Sequence, residues 1–152
     1  MENGIGLYNF IFDKLKMEGM GIEKQDICSY SPLTLAYIGD GVYELVVRSM
    51  IVTEANAPVN KLHKRSSELV KAETQAKIAF YLRDNDILDE EEMRVLKRGR
   101  NAQSYTKAKN ASVSDYRWAT GFEALIGYLY LSEKSHRMLE IISMGIKVVM
   151  AE

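Results

Sequence analysis

Cysteine, histidine and proline are all scarce in this chain of 152 residues, and each scarcity narrows its chemistry. A single cysteine, Cys28, leaves no disulfide framework and no Cys/His zinc pattern. A lone small thiol is more often a packing residue than a nucleophile. With only His63 and His136, and with no Gly-x-Ser-x-Gly elbow, nucleophilic catalysis by a side chain has little to draw on. A phosphate-binding P-loop is absent as well. No apolar run approaches the about 18 residues of a membrane span, and Met1–Lys16 lacks the order of a signal peptide. The expected location is the cytoplasm, with no membrane partner. The net charge of −1 excludes a surface that is basic all over, but leaves room for a local basic patch.

What is present reads as one soluble domain over residues 1–152, with 47% hydrophobic and 27% charged residues. Helical periodicity covers most of the chain and period-2 alternation is missing, so the expected class is all-α with six or seven helices. The first helix is expected over Leu7–Met17, with Leu7, Phe10, Ile11 and Leu15 on one stripe. Ser31–Pro32 opens the second, Ser31 as cap and Pro32 at the first turn, running to about Val52. A third starts at Asn56–Pro58 and carries Leu62, Leu69, Ala72, Ala76, Ala79 and Phe80 on one side. The acidic run Asp84–Glu92 reads as a helix start, because Asp89 and Glu92 have capping-box spacing, and Lys97, Arg98 and Gly99 read as that helix's end. Arg100–Ser114 reads as a loop, Tyr116–Ser132 as a helix, and Lys134–Met150 as the last helix, with Met138, Leu139, Ile142, Ile146 and Val149 inward.

Two near-solitary carboxylates stand out against this pattern. Leu33–Val47 is an apolar and small-residue run interrupted by Asp40 and Glu44, and in Trp118–Ser132 the only charge is Glu123. A carboxylate in such a run needs a cation, a hydrogen-bond donor or a metal. Asp40, Glu44 and Arg48 share one ridge of the second helix, so spacing alone supports both a buried Asp40–Glu44–Arg48 ion network and a cation site. Glu123 has small neighbours one turn away (Ala119, Thr120 and Gly127), which leave room for a second helix, an ion or water; its alternative is to accept bonds from Tyr128, Tyr130 or a distant arginine. Gly39 and Gly41 flank Asp40 and point to close approach of another backbone. Oxygen-only ligation by few carboxylates suits Mg²⁺, with Mn²⁺ as substitute, and such sites serve phosphoryl chemistry.

Two basic patches accompany the carboxylates. Lys97, Arg98, Arg100, Lys107 and Lys109 are interleaved with Asn101, Gln103, Ser104, Tyr105 and Asn110; Lys61, His63, Lys64 and Arg65 form the other. Cations of this kind neutralise phosphates, and amides and hydroxyls reach phosphate oxygens or ribose hydroxyls. Each patch alone reads more readily as a solvated helix face; beside a hydrolytic metal site they make an RNA footprint. An all-α nucleotide pyrophosphohydrolase would need several facing Glu-x-x-Glu pairs, and these are not found around Asp40 and Glu123.

The stretch YIGDGVYEL (Tyr37–Leu45) resembles the signature of the ribonuclease III catalytic domain, FEALIGYLYL (Phe122–Leu131) resembles that family's second acidic motif, and VLKRGRNA (Val95–Ala102) is similar to its small subfamily, Mini-ribonuclease III. The resemblance runs from about Tyr30 to Lys147. It implies an all-α, ribonuclease III-like fold, a homodimer with a valley for double-stranded RNA, and no appended RNA-binding domain, in keeping with the chain ending at Glu152. It further implies a Mg²⁺-dependent endoribonuclease that leaves 5′-phosphate and 3′-hydroxyl ends and matures large-subunit (23S) ribosomal RNA precursor, with a ribosomal protein as a possible helper. Asp40 and Glu123 match the family's metal-ligating, catalytic positions. The family's other two acidic positions are Ala36 and Thr120 here, a departure shared by the Mini-ribonuclease III members, and Glu44 and Thr120 are left as residues that act through water. A non-catalytic RNA-binding protein on the same fold is the rival expectation.

Overall fold

The computed structural model describes residues 6–102 and 112–152. Among these there are seven α-helices and no strand, as an all-α reading requires: α1 (Leu7–Met17), α2 (Pro32–Glu54), α3 (Val59–Val70), α4 (Ala72–Asp84), α5 (Glu90–Asn101), α6 (Val113–Leu131) and α7 (Ser135–Met150). A short 3-10 turn, Ile27–Ser29, precedes α2. No helix among the described residues is long and apolar enough to cross a membrane.

The architecture is built around α6. Its mixed apolar and small residues leave no polar stripe, and 11 of its 19 residues are buried, so it must be covered on every side. α2, α5, α4 and α7 supply that cover. Tyr43, Val47, Ile78, Leu82, Leu96, Phe122, Leu125, Ile126, Leu129, Met138 and Ile142 fill the space between them. Two glycines let the helices come together at van der Waals limits. A Cβ on Gly39 of α2 would lie 1.8 Å from the Glu123 carbonyl, and a Cβ on Gly127 of α6 would lie 1.9 Å from the Leu35 carbonyl. Gly41 differs from Gly39: among the described residues nothing lies within 4 Å of where its Cβ would be. Only one of the two glycines flanking Asp40 therefore serves packing within the chain.

The expected third helix is two. α3 stops at Val70 and α4 begins at Ala72, with Lys71 extended between them. The carbonyls left free at the end of α3 are taken up by side chains: Thr74 Oγ1 donates to Glu68 O (2.6 Å), Tyr43 Oη to Leu69 O (2.7 Å) and Gln75 Nε2 to Val70 O (2.8 Å). Apolar spacing continues across the break, so the stripe gave no sign of it; a donor 26 residues away helps to fix it.

Gly99 does not end α5, which runs on to Asn101. A Cβ there would come within 2.8 Å of the Ala124 Cβ and the Gly121 Cα, so the residue serves close packing on α6 rather than a left-handed cap. α6 starts earlier than expected, capped by Ser112, whose Oγ accepts from the Asp115 amide. The capping box of α5 is formed as expected by Asp89 and Glu92. α1 forms over the expected residues, with Leu7, Phe10, Ile11 and Leu15 exposed and none of its residues buried. One apolar assignment is corrected. On α7 Leu139 is exposed, because the inward ridge is Met138, Ile141, Ile142, Gly145 and Ile146.

Candidate active site

The tight crossing at Gly39 and Gly127 places Asp40 of α2 beside Glu123 of α6. The two side chains lie within hydrogen-bonding reach of each other. Glu123 is half-buried, and its pKa is pushed up to about 9. Burial is the largest cause; the hydrogen bond and the charge of Asp40 follow, and the charge of Glu44 adds to them. The Gln75 side chain works in the opposite direction and favours the carboxylate. Among the described residues no cation pairs with Asp40 or Glu123.

Glu44 is not part of a buried network. Its Oε1 takes Arg48 Nη2 at 2.8 Å on the exposed side of α2, while its charge still reaches Glu123. The expected Asp40–Glu44–Arg48 network therefore shrinks to a surface pair, because Asp40 is turned toward α6. Glu123 is also not held by Tyr128, Tyr130 or an arginine; its neighbours are Asp40 and Gln75. Thr120 is buried one turn from Glu123, and its hydroxyl donates to Tyr116 O at 2.9 Å. Ala36 is buried among Leu35, Val95 and Ala124.

Gln75 is the residue that sequence reasoning missed. It is 2% exposed, its Nε2 is tied to Val70 O, and its Oε1 is buried without a hydrogen-bond partner among the described residues. Its presence in a window read as a continuous amphipathic helix carried no signal. Tyr43 stands nearby, its phenol raised by burial and by the charge of Glu123.

Among the described residues no three or more His, Cys, Asp or Glu groups are gathered to hold one ion. The centre is a carboxylate pair with an unsatisfied amide oxygen close by. Such a donor set fits a hard divalent cation that keeps several waters. It does not fit zinc, which favours nitrogen and sulfur ligands.

The basic residues divide between two regions. Lys64 is exposed on α3, where Arg65 pairs with Glu54 at 2.7 Å. Lys97 and Arg98 are exposed near the end of α5. Arg100 Nε donates to Asn101 Oδ1 at 3.0 Å, and its guanidinium lies 4.9 Å from the centre of the Trp118 ring. Arg83 of α4 sits on the same ring, also at 4.9 Å, which the sequence did not suggest. Arg100, Asn101, Val113, Ser114, Arg117 and Trp118 line an open cavity of about 290 Å³. Lys107 and Lys109 lie outside the described residues.

Comparison with known proteins agrees with this architecture. Residues 33–134 match the family described as the Ribonuclease III domain. A Mini-ribonuclease 3 from Clostridium tetani is 48% identical over 132 residues, covering 86% of this chain and 85% of the relative. One from Thermoanaerobacter sp. is 46% identical over 128 residues, covering 84% and 89%. A crystal structure of a protein from Fusobacterium nucleatum superposes with a TM-score of 0.72 at 32% identity, over 82% of this chain and 98% of that one. With the family match spanning most of the chain and these relatives covering it nearly end to end, the chain belongs to the ribonuclease III family, among its Mini-ribonuclease 3 members.

Proposed function

We propose that this chain is a Mg²⁺-dependent endoribonuclease, a single catalytic domain over residues 1–152 that works in the cytoplasm as a homodimer on double-stranded RNA. The substrate is large-subunit (23S) ribosomal RNA precursor, with a ribosomal protein as a candidate helper. The observation that carries the reading is the pairing of exposed Asp40 with half-buried Glu123. Two acidic side chains side by side, with no cation paired to them among the described residues, favour a divalent cation between them.

Asp40 and Glu123 would hold Mg²⁺, with Mn²⁺ as substitute. A bound divalent cation neutralises charge on the scissile phosphate and lowers the pKa of water, the nucleophile that phosphodiester hydrolysis requires. Asp40, at the surface, marks the side from which RNA approaches; Glu123, deeper, anchors the pair to α6. Gly39 sets their separation, because any side chain there pushes α2 away from the backbone that carries Glu123. Departure of the 3′ oxygen leaves a 5′-phosphate and a 3′-hydroxyl. Lys64, Arg65, Lys97, Arg98, Arg100, Asn101, Lys107 and Lys109 are the residues proposed to grip the duplex. Glu44 and Thr120 are proposed to act through water.

The homodimer is supported by the outward stripe of α2. Tyr37 is 82% exposed and Leu45 57% exposed, with Leu33 and Val52 further along and open space over Gly41. Exposed apolar residues in a row on the helix that carries Asp40 suit a second copy.

The test is incubation of the purified protein with duplex RNA, with Mg²⁺ and with a chelator. Cleavage is expected only with Mg²⁺. Asp40→Asn and Glu123→Gln are each expected to reduce it by at least about 10³-fold while helicity and oligomeric state stay unchanged. Full activity in either variant would sink the assignment. Replacement of two family acidic positions by Ala36 and Thr120 favours the rival reading, a non-catalytic RNA-binding protein; binding without cleavage under any metal would establish it.

A further inference from the structure

Gln75 of α4 meets the Glu123 side chain, and nothing in the proposed cleavage accounts for it. A glutamine that is 2% exposed, in a helix face otherwise made of Thr74, Ala76, Ile78, Ala79 and Leu82, is costly to bury unless its amide is used. Half of it is used. Nε2 donates to Val70 O at 2.8 Å, which fixes the amide's orientation, and the same side chain favours the charged form of Glu123. The other half is not: Oε1 is buried and has no donor among the described residues. Its orientation is not free to reverse, since turning the amide would set an oxygen against the Val70 carbonyl. A buried acceptor on the side chain that meets the Glu123 carboxylate has one kind of complement, a donor that arrives with the ligand.

We propose that Gln75 is the third residue of the Asp40–Glu123 centre, a positioning residue whose amide N–H orients the Glu123 carboxylate and whose Oε1 accepts a hydrogen bond from a water in the shell of a divalent cation. This rests on the reading of Asp40 and Glu123 as cation ligands. It gives the break between α3 and α4 a purpose beyond redirecting the chain. The bond from Gln75 to Val70 both finishes α3 and aims the amide at Glu123, so the helix end and the site share one side chain. It also offers a substitute for the acidic groups missing at Ala36 and Thr120: a neutral oxygen from a third helix takes part in the shell where the family places carboxylates.

The experiment is Mn²⁺ titration of the full chain by electron paramagnetic resonance, with thermal melts alongside. Gln75→Met keeps the volume and removes both polar atoms. It is expected to weaken Mn²⁺ binding by about ten-fold or more, as loss of a partner that orients a metal ligand does. Wild-type affinity in a folded Gln75→Met protein overturns the proposal. A purely structural role would lower the melting temperature and leave the metal affinity of the folded protein alone. Should Gln75→Met fail to fold, the wild-type protein decides: the Gln75 side-chain amide resonances must broaden at sub-stoichiometric Mn²⁺, and resonances that stay sharp overturn it. Asp40→Asn is run in parallel. If it too binds Mn²⁺ as the wild type does, what fails is the cation site itself and not the part played by Gln75.

Discussion

Single residues show how differently a buried and a half-buried carboxylate behave. Glu92 is 3% exposed, yet it is charged at neutral pH. Burial alone would raise its pKa, but Arg137 donates Nε to Oε2 (2.8 Å) and Nη2 to Oε1 (2.9 Å), the Asp89 amide donates as well, and the net shift is downward. Arg137 also reaches Ile87 O and Glu140. A carboxylate whose folded pKa is depressed stabilises the fold above its unfolded value of 4.5 and loses that contribution as pH falls through the folded pKa. Melting temperature is therefore expected to drop as the wild type is acidified below about pH 4.5. Arg137→Met leaves Glu92 buried without its cation, held only by the Asp89 amide, and is expected to cost about 3–5 kcal/mol near neutrality. Its stability should then rise on mild acidification, as Glu92 takes up a proton, which is the opposite slope. A urea-melt series across pH checks both; parallel slopes in the two proteins would show that the pair contributes nothing. Glu123 is the contrasting case, with a like charge where Glu92 has a guanidinium.

At the scale of elements, α2 carries two glycines with opposite surroundings. Gly39→Ala would drive a methyl into the Glu123 carbonyl, and helices must separate to admit it. It is expected to destabilise by about 1–3 kcal/mol or more and to lower cleavage in proportion to the displacement of Glu123. Gly41→Ala meets nothing among the described residues, and relief of glycine's helix penalty should stabilise the isolated fold by up to about 1 kcal/mol. Calorimetry on the pair separates them; equal effects at the two positions would contradict the crossing of α2 over α6. Helix ends were legible where caps are local, as at Ser31, Pro32, Asp89 and Glu92. They were illegible where side chains from elsewhere in the fold close the end, as at Val70, and where a glycine serves packing, as at Gly99.

For the whole molecule, the apolar stripe of α2 bears on assembly. Leu45→Glu changes no buried contact within the chain, since the side chain is exposed, but it sets a charge among Tyr37, Gly41 and the neighbouring apolar residues. Sedimentation is expected to shift toward monomer, with a loss of cleavage of ten-fold or more at low protein concentration and little change in helicity. A variant that sediments as the wild type does would move the dimer contact elsewhere. The Arg83, Arg100 and Trp118 stack sits on other elements, where α4, α5 and α6 meet.

The sequence by itself determined the helical class, most helix boundaries, the two carboxylates and the family, because periodicity, local caps and motif spacing are properties of neighbouring residues. It left Asp40, Glu44 and Arg48 as a possible ion network and could not say whether Asp40 meets Glu123. Only the tertiary structure decided that, since the crossing depends on Gly39 lying against the backbone of a residue more than eighty positions away. Gln75 was hidden for the same reason: a polar side chain on a helix looks like any other until packing removes the water around it. Burial, and the partners a group is left with once buried, arise only when the helices come together, and at Gln75 and Glu123 those are the quantities on which the chemistry depends.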